Sequence, residues 1–278
     1  MEKGIHRKLK KLFFVLAVIV FMLFLIFPFY WIFITSVKPE SELYGKVVTY
    51  WPHEVILDAY KNLFGSFNFL KYMGNSLIVS LITTALTLVL ALLAAYACCR
   101  YKFKGRKAVM GLFLCNNMFP TVLLMIPLYS IMRRMGILYT TSSLVLAYTT
   151  FTLPFSVWLL NGYIKDCPMS LEESALIDGC NRFQAFVKIF LPIMTPCLVA
   201  TGVYIFMQSW NEYTYASLLT NAESRTITVA LKTLIGQLGV QWDMLTAGGI
   251  ISVIPVCIMF FFAQKRLIEG LTAGAVKG

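Results

Sequence analysis

Hydrophobic and polar positions fall along this chain in long blocks rather than in the short periods of a soluble fold. Six runs carry no Asp, Glu, Lys, Arg or His: residues 12–37, 72–99, 108–132, 135–164, 189–211 and 244–264. A helix needs about 20 such residues to cross the hydrocarbon core, and a helix satisfies every backbone amide within its own segment. The pattern therefore predicts an all-α membrane protein with six transmembrane helices, forming one domain over residues 1–278. The first run is too long for a signal-peptide core and lacks a small-residue cleavage site, so it is expected to be retained.

Composition agrees. Only 13% of residues are charged, about half the usual soluble share of ~25%, so lipid solvates most of the surface. Placing the N-terminus in the cytoplasm and alternating the loops puts 16 of the 24 Lys and Arg on the cytoplasmic side and 8 outside. The short loop 100–107 is wholly basic, where the positive-inside rule is most dependable. Both termini are accordingly expected in the cytoplasm. The net charge of +11 sits beside helix ends, where it anchors orientation, and calls for no nucleic-acid partner. Five of the seven cysteines lie in or beside spans, while Cys167 and Cys180 lie in a cytoplasmic loop. None has metal-ligand spacing with histidine, and no disulfide framework is expected.

The loops differ in content. Residues 38–71 mix Pro39, Gly45 and Pro52 with many aromatic rings, as an interfacial belt does; some of these rings are candidates for an external partner platform. Asn75-Ser76 is expected to cap the second span. In the long outer segment 211–243, Asn221-Ala222-Glu223-Ser224 reads as a protruding turn, with Gly236 and Gly239 as breakers.

Several chemistries are missing. Ion-coupled carriers need ionisable or coordinating groups near the midplane, and no span holds one. His6 and His53 are the only histidines and lie outside the spans, so neither a hydrolytic triad nor a metal cluster forms. No Gly-x-x-x-x-Gly-Lys-Ser/Thr loop occurs. No metal or cofactor is expected on this chain, which is expected to be no enzyme and to take its energy from another subunit. Asn116, Asn117 and Gln208 are polar within spans; they read either as interhelical hydrogen bonds or as pore lining for an uncharged polar solute such as a sugar.

The most punctuated stretch is the loop at about 165–190. Ser170 and Glu173 have the spacing of a capping box. Asp178-Gly179 reads as a helix stop with glycine in the left-handed conformation, and Asn181 as the cap of a second helix. There Phe183, Phe186, Val187 and Phe190 fall at i, i+3, i+4 and i+7, an apolar stripe on one face. Leu191-Pro192 reads as the boundary with the fifth span. The expected form is helix, bend, helix: a knob for a soluble partner. Its acidic first turn argues against a helix lying on the membrane, where Lys and Arg are favoured.

That loop resembles the coupling loop of bacterial ABC importer permeases. The family motif runs Glu-Ala-Ala, three residues, Gly, nine residues, Ile, one residue, Leu-Pro. This chain has Glu173-Ser174-Ala175, Gly179, Ile189 and Leu191-Pro192 at that spacing, with Asp178 in its common place. Ser174 and Cys180 stand where alanine is usual; both are small. Tyr60-Lys61-Asn62-Leu63-Phe64, Asn75-Ser76, Trp210-Asn211-Glu212 and the ending that begins Gly270-Leu271-Thr272 are similar to the smaller permease subunit of maltose-type importers.

The resemblance implies a type I importer permease fold in the bacterial cytoplasmic membrane, serving an ATP-driven sugar importer with oligosaccharides as the expected class. It implies a second, non-identical permease subunit, a homodimeric cytoplasmic ATPase that carries ATP and Mg, and an extracytoplasmic sugar-binding protein. Glu172, Glu173, Ser174, Ala175, Asp178, Gly179, Phe183 and Phe186 are the implied ATPase-coupling residues. On composition the cytoplasmic tail 265–278, with its glycines and small residues, reads as a frayed terminus or as an extended strand able to enter a narrow cleft; the resemblance implies the second, reaching between the ATPase subunits through Gly270, Ala273, Gly274, Val276, Lys277 and Gly278. Asn221, Glu223 and Arg225 are expected to contact the binding protein. The rival reading is a stand-alone secondary carrier or channel for a small polar solute; a membrane enzyme is disfavoured by the missing catalytic groups.

Overall fold

In a computed structural model the protein is helical almost throughout. The structure describes the backbone of residues 2–275 except 238, and the side chains of residues 10–266 except 238. The helices are α1 (Glu2–Ser36), α2 (Glu40–Leu43), α3 (Asp58–Gly65), α4 (Phe69–Arg100), α5 (Arg106–Met118), α6 (Met125–Arg134), α7 (Thr141–Asp166), α8 (Ser170–Ile177), α9 (Arg182–Ala185), α10 (Leu191–Trp210), α11 (Thr214–Leu219), α12 (Ile227–Lys232) and α13 (Trp242–Ala275). A short antiparallel hairpin, β1 (Ile235–Gly236) and β2 (Gly239–Val240), pairs Ile235 with Val240.

Among the described residues five stretches are long and apolar enough to cross a membrane: Lys10–Ser36, Phe69–Arg100, Thr141–Asp166, Arg182–Trp210 and Trp242–Arg266. The run 108–132, expected as one straight span, is instead two helical pieces bent by 99°. Pro120 explains the break. Its ring drives the preceding residue out of the helical region, and Phe119 sits at φ −78°, ψ 129°. A 3-10 turn at Thr121–Leu124 then restarts the chain into α6. The expected cap at Asn75-Ser76 is also displaced, because α4 begins six residues earlier, at Phe69.

The helices gather into two compact units. One joins the chain up to Phe69 with Leu231–Val253. Within it Leu63 and Phe69 are fully buried against Gly248, where an added Cβ would lie 2.4 Å from a Leu231 methyl and force that side chain to move. Lys38 is buried, its Nζ donating to the Thr49 carbonyl and lying 5.0 Å from the centre of the Trp31 ring. Glu42 knits the same outer segment. Its carboxylate accepts from the Thr49 hydroxyl at 2.8 Å and from the His53 amide at 2.9 Å. Burial alone would push its pKa up, but these bonds and the adjacent His53 ring outweigh that and hold it below the ordinary value. A depressed pKa contributes stability that is present above the unfolded value, about 4.3 for Glu, and is lost as pH falls through the folded value. Amide exchange near residues 42–53 is expected to accelerate below about pH 4 in the native chain, and Glu42→Gln is expected to flatten that dependence.

The other unit joins Leu70–Ala230 with the chain from Ile254 onward. Its axis is the pair α4 and α7, which share two buried clusters. One holds Val79, Leu144, Tyr148, Tyr215 and Leu219; the other holds Ala91, Ala95, Leu160, Ile164, Phe190 and Met194. Between the clusters, Thr87 meets the hydroxyls of Thr149 at 3.4 Å and Thr152 at 3.2 Å. In lipid such bonds contribute about 0.6 kcal/mol each on average, so packing of the small and apolar faces dominates. This pair sets the base on which the 165–190 loop rests.

Candidate functional site

The loop after α7 turns at Cys167 and starts α8 one residue earlier than the sequence pattern predicts. Met169 is the N-cap, in helical conformation and without a side-chain cap; its carbonyl accepts the amides of Glu172 at 3.0 Å and Glu173 at 3.1 Å. Ser170 is thus the first helical residue, and the expected Ser170–Glu173 capping box does not form. At the other end the prediction holds in detail. Gly179 takes φ +88°, the Cys180 amide donates to the Ala175 carbonyl at 2.9 Å, and the Gly179 amide donates to Leu176 at 3.2 Å. These two bonds close a Schellman stop. A Cβ on Gly179 would meet nothing within 4 Å, so glycine is required here for its backbone conformation alone.

Asn181 caps α9 reciprocally: its Oδ1 accepts the Gln184 amide at 2.8 Å, and the Gln184 Oε1 accepts the Asn181 amide at 3.0 Å. The chain then passes through a π-helical turn, Phe186–Phe190, directly into α10. Leu191-Pro192 stands at the boundary as expected: α10 begins at Leu191, and Pro192 falls in its first turn, where a missing amide costs little. The four-residue stripe, by contrast, is split. Phe190 is fully buried and Phe186 half-buried, but Val187 and Phe183 are exposed, Phe183 at 74%. The π turn inserts an extra residue per turn, so side chains on its two sides no longer share one face.

Glu172, expected on the docking surface, points inward. One oxygen accepts from Arg100 Nε at 2.7 Å and the other from the Tyr96 hydroxyl at 2.6 Å. Both charged side chains are about nine-tenths buried. Arg100 also donates to the Cys167 carbonyl at 3.1 Å and lies 5.8 Å from the centre of the Phe190 ring. Tyr96 meets the edges of Phe186 and Phe190, each at 4.9 Å. The elbow is therefore locked to the end of α4 by a buried ion pair, a hydroxyl and an aromatic cluster. Ala175 is buried beneath it. Glu173, Ser174, Asp178 and Gly179 are exposed. So are Ile177, at 86%, and Phe183, on either side of the bend.

The other candidates lie apart. Asn221 Oδ1 accepts the amides of Glu223 at 3.0 Å and Ser224 at 3.1 Å, forming the predicted turn. Glu223 pairs with Lys71, and Arg225 lies 6.0 Å from the centre of the Tyr72 ring. Asn75 donates to the carbonyls of Glu223 and Arg225, both at 3.0 Å, and Ser76 accepts the Ile227 amide at 2.8 Å. Asn75-Ser76 thus staples the turn to α4 instead of capping it. Asn116 and Asn117 are exposed at the end of α5, whereas Gln208 lines a cavity with Thr121 and Phe151. Gly270, Ala273 and Gly274 fall within the helical backbone of α13 rather than in an extended strand; Val276, Lys277 and Gly278 lie outside the described residues.

Residues 87–272 match the family described as binding-protein-dependent transport system inner membrane component. The chain belongs to that family. The match runs from the middle of α4 into the last turns of α13 and takes in the elbow. The permease is 35% identical over 91% of its length to the sulfoquinovosyl glycerol transport system permease protein SmoH of Agrobacterium fabrum, covering 89% of that protein. It is 35% identical over 95% of its length to the diacetylchitobiose uptake system permease protein DasC of Streptomyces coelicolor, covering 96% of it. Its fold is shared with a chain of a bacterial ABC transporter that imports alginate, with a TM-score of 0.78 at 22% identity over 93% of this chain and 96% of that one. The permease is a multi-pass protein of an inner membrane system and the non-catalytic component of its transporter.

Sequence reasoning singled out neither Tyr96 nor Ile177, and it used Arg100 only within the basic run 100–107, as a topology signal. The place of Ile177 two residues before the helix-stopping glycine was the one available sign that it stands at a tip.

Proposed function

We propose that this permease is one of two transmembrane subunits of an ATP-driven sugar importer, and that the elbow at 165–190 is where a cytoplasmic ATPase grips it. The single observation that carries this is the pairing of a rigid, triply fixed frame with exposed Ile177, Glu173 and Phe183 around one bend. The relatives named for a sulfonated glycoside and for a chitin disaccharide support the sugar class. In this reading the bent α5–α6 pair counts as one crossing, which gives six spans with both termini in the cytoplasm of a bacterial cell. ATP and Mg bind a homodimeric partner, and no cofactor binds this chain. A second, non-identical permease completes the pore. An extracytoplasmic binding protein delivers sugar to a face that includes Asn221, Glu223 and Arg225, and the tail from 265 contributes a further ATPase contact. Closure of the ATPase moves the elbow, which carries α4, α7 and α10 as a rigid body between two states.

The test is co-purification and uptake at equal membrane abundance. Glu173→Lys is expected to insert normally, because Glu173 is exposed, yet to lower sugar-stimulated ATP hydrolysis by at least fivefold. Deleting residues 273–278 is expected to leave insertion intact and to weaken ATPase recovery. Wild-type hydrolysis, uptake and partner recovery in both variants would return the elbow and tail to passive roles.

A further inference from the structure

The break at Phe119-Pro120 faces a consequence of membrane physics. Non-helical backbone at membrane depth persists only where protein buries it or where it lines a wet cavity, and interrupted helices in transporters gather around solute sites. Here the break borders such a cavity, about 340 Å³ in volume and lined by Thr121, Phe151, Gln208, Asn211, Glu212 and Tyr213, among others. That volume lies at the low end of the range for small-molecule sites, about 300–1,000 Å³. The Tyr215 hydroxyl donates to the Thr121 carbonyl at 2.5 Å, which satisfies the freed backbone and pins the break in place.

The lining has two kinds of surface. Phe151 is half-buried and stacked on Tyr215 at 5.6 Å and 24°, which holds its ring fixed. Beside it the Gln208 amide is exposed and makes no protein hydrogen bond among the described residues. Asn211 spends its amide N–H on the Met207 carbonyl at 3.0 Å and keeps its Oδ1 as an acceptor. A fixed aromatic face beside unspent amide donors and acceptors suits a sugar ring, whose C–H face lies on the negative π surface while its hydroxyls bond to the amides. Charge narrows the class further. Among the described residues Glu212 is the only carboxylate in the lining, with both oxygens already accepting backbone amides, from Tyr215 at 2.8 Å and Ala216 at 3.0 Å. No lysine, arginine or histidine among the described residues lines the cavity, so an acidic sugar would find no counter-charge there.

We propose that this cavity is a solute subsite on the translocation path, built for an uncharged sugar ring and contributed by this subunit itself. It rests on the importer reading above. The purified importer complex in nanodiscs, without its binding protein, is probed by saturation-transfer NMR with maltotriose and with trigalacturonate. Maltotriose is expected to give signals on the wild-type complex that fall at least fivefold in Gln208→Ala and in Phe151→Leu, with trigalacturonate giving none. Gln208 has no protein partner to lose, so its variant folds; co-purified ATPase and its basal hydrolysis check assembly. Unchanged maltotriose signals in both variants, no maltotriose signal on the wild type, or a stronger trigalacturonate signal would each overturn the subsite. In all three cases an assembled complex that still imports keeps the importer reading. A chain that recruits no ATPase overturns both.

Discussion

Glu172→Ala is expected to destabilise the elbow by about 3–5 kcal/mol, the usual cost of leaving one partner of a buried pair without its counter-charge. Arg100 would keep only the Cys167 carbonyl and the Phe190 face. Arg100→Ala is expected to do comparable harm, since it strands the carboxylate beside Tyr96 alone. A purely structural role and a coupling role separate in the double variant Arg100→Met with Glu172→Leu. Apolar replacement of a whole buried pair is often neutral or stabilising, so thermal unfolding is expected to recover towards wild type. Coupling is expected to stay impaired, because apolar contact fixes the position of α8 against α4 less sharply than three directed hydrogen bonds. Uptake per ATP hydrolysed is the measurement. Full recovery of that ratio along with stability would reduce the pair to scaffolding.

Gly179→Val is the second large effect. The left-handed conformation costs a residue with a Cβ roughly 1–2 kcal/mol, and a β-branched residue more. Because a Cβ at 179 meets no neighbour, Gly179→Ala is expected to show the backbone cost alone and to retain partial coupling. Valine is expected to open the Schellman stop, release Cys180 from Ala175, and turn Asn181 away from its cap. ATPase co-purification is expected to fall by about tenfold for valine and about threefold for alanine. Equal recovery for all three chains would mean the bend is not part of the docking frame.

The spans were legible because lipid imposes a single rule, and residues 72–99 or 244–264 obey it without any partner. The glycine stop and the Asn181 cap were legible for a similar reason: each is decided within six residues of chain. Glu172 was not. It and Glu173 are chemically identical neighbours about 100° apart on one helix, and which of them turns inward depends on Arg100, 72 residues away. The split of Phe183 from Phe186 escaped because an i, i+3, i+4 count assumes one pitch throughout, and the π turn changes it. At Pro120 the signal was visible in the sequence, yet the lack of ionisable residues on both sides masked it as one continuous crossing. Gln208 was read with Asn116 and Asn117 as a pore candidate, and its separation from them rests on that same bend.

The π turn also sets the azimuth of everything that follows it. α10 inherits its rotation about its own axis from Phe186–Phe190, so one residue more or fewer there would turn the helix by about 100° relative to α8 and α9 and draw Phe190 off Tyr96. Met194 would leave the buried cluster it shares with Phe190, and Gln208, nearly 30 Å along the helix by its rise of about 1.5 Å per residue, would swing off its cavity. Chain length at this turn is thus a phase setting between the elbow and the far end of α10, and a single insertion or deletion there would put the two out of register.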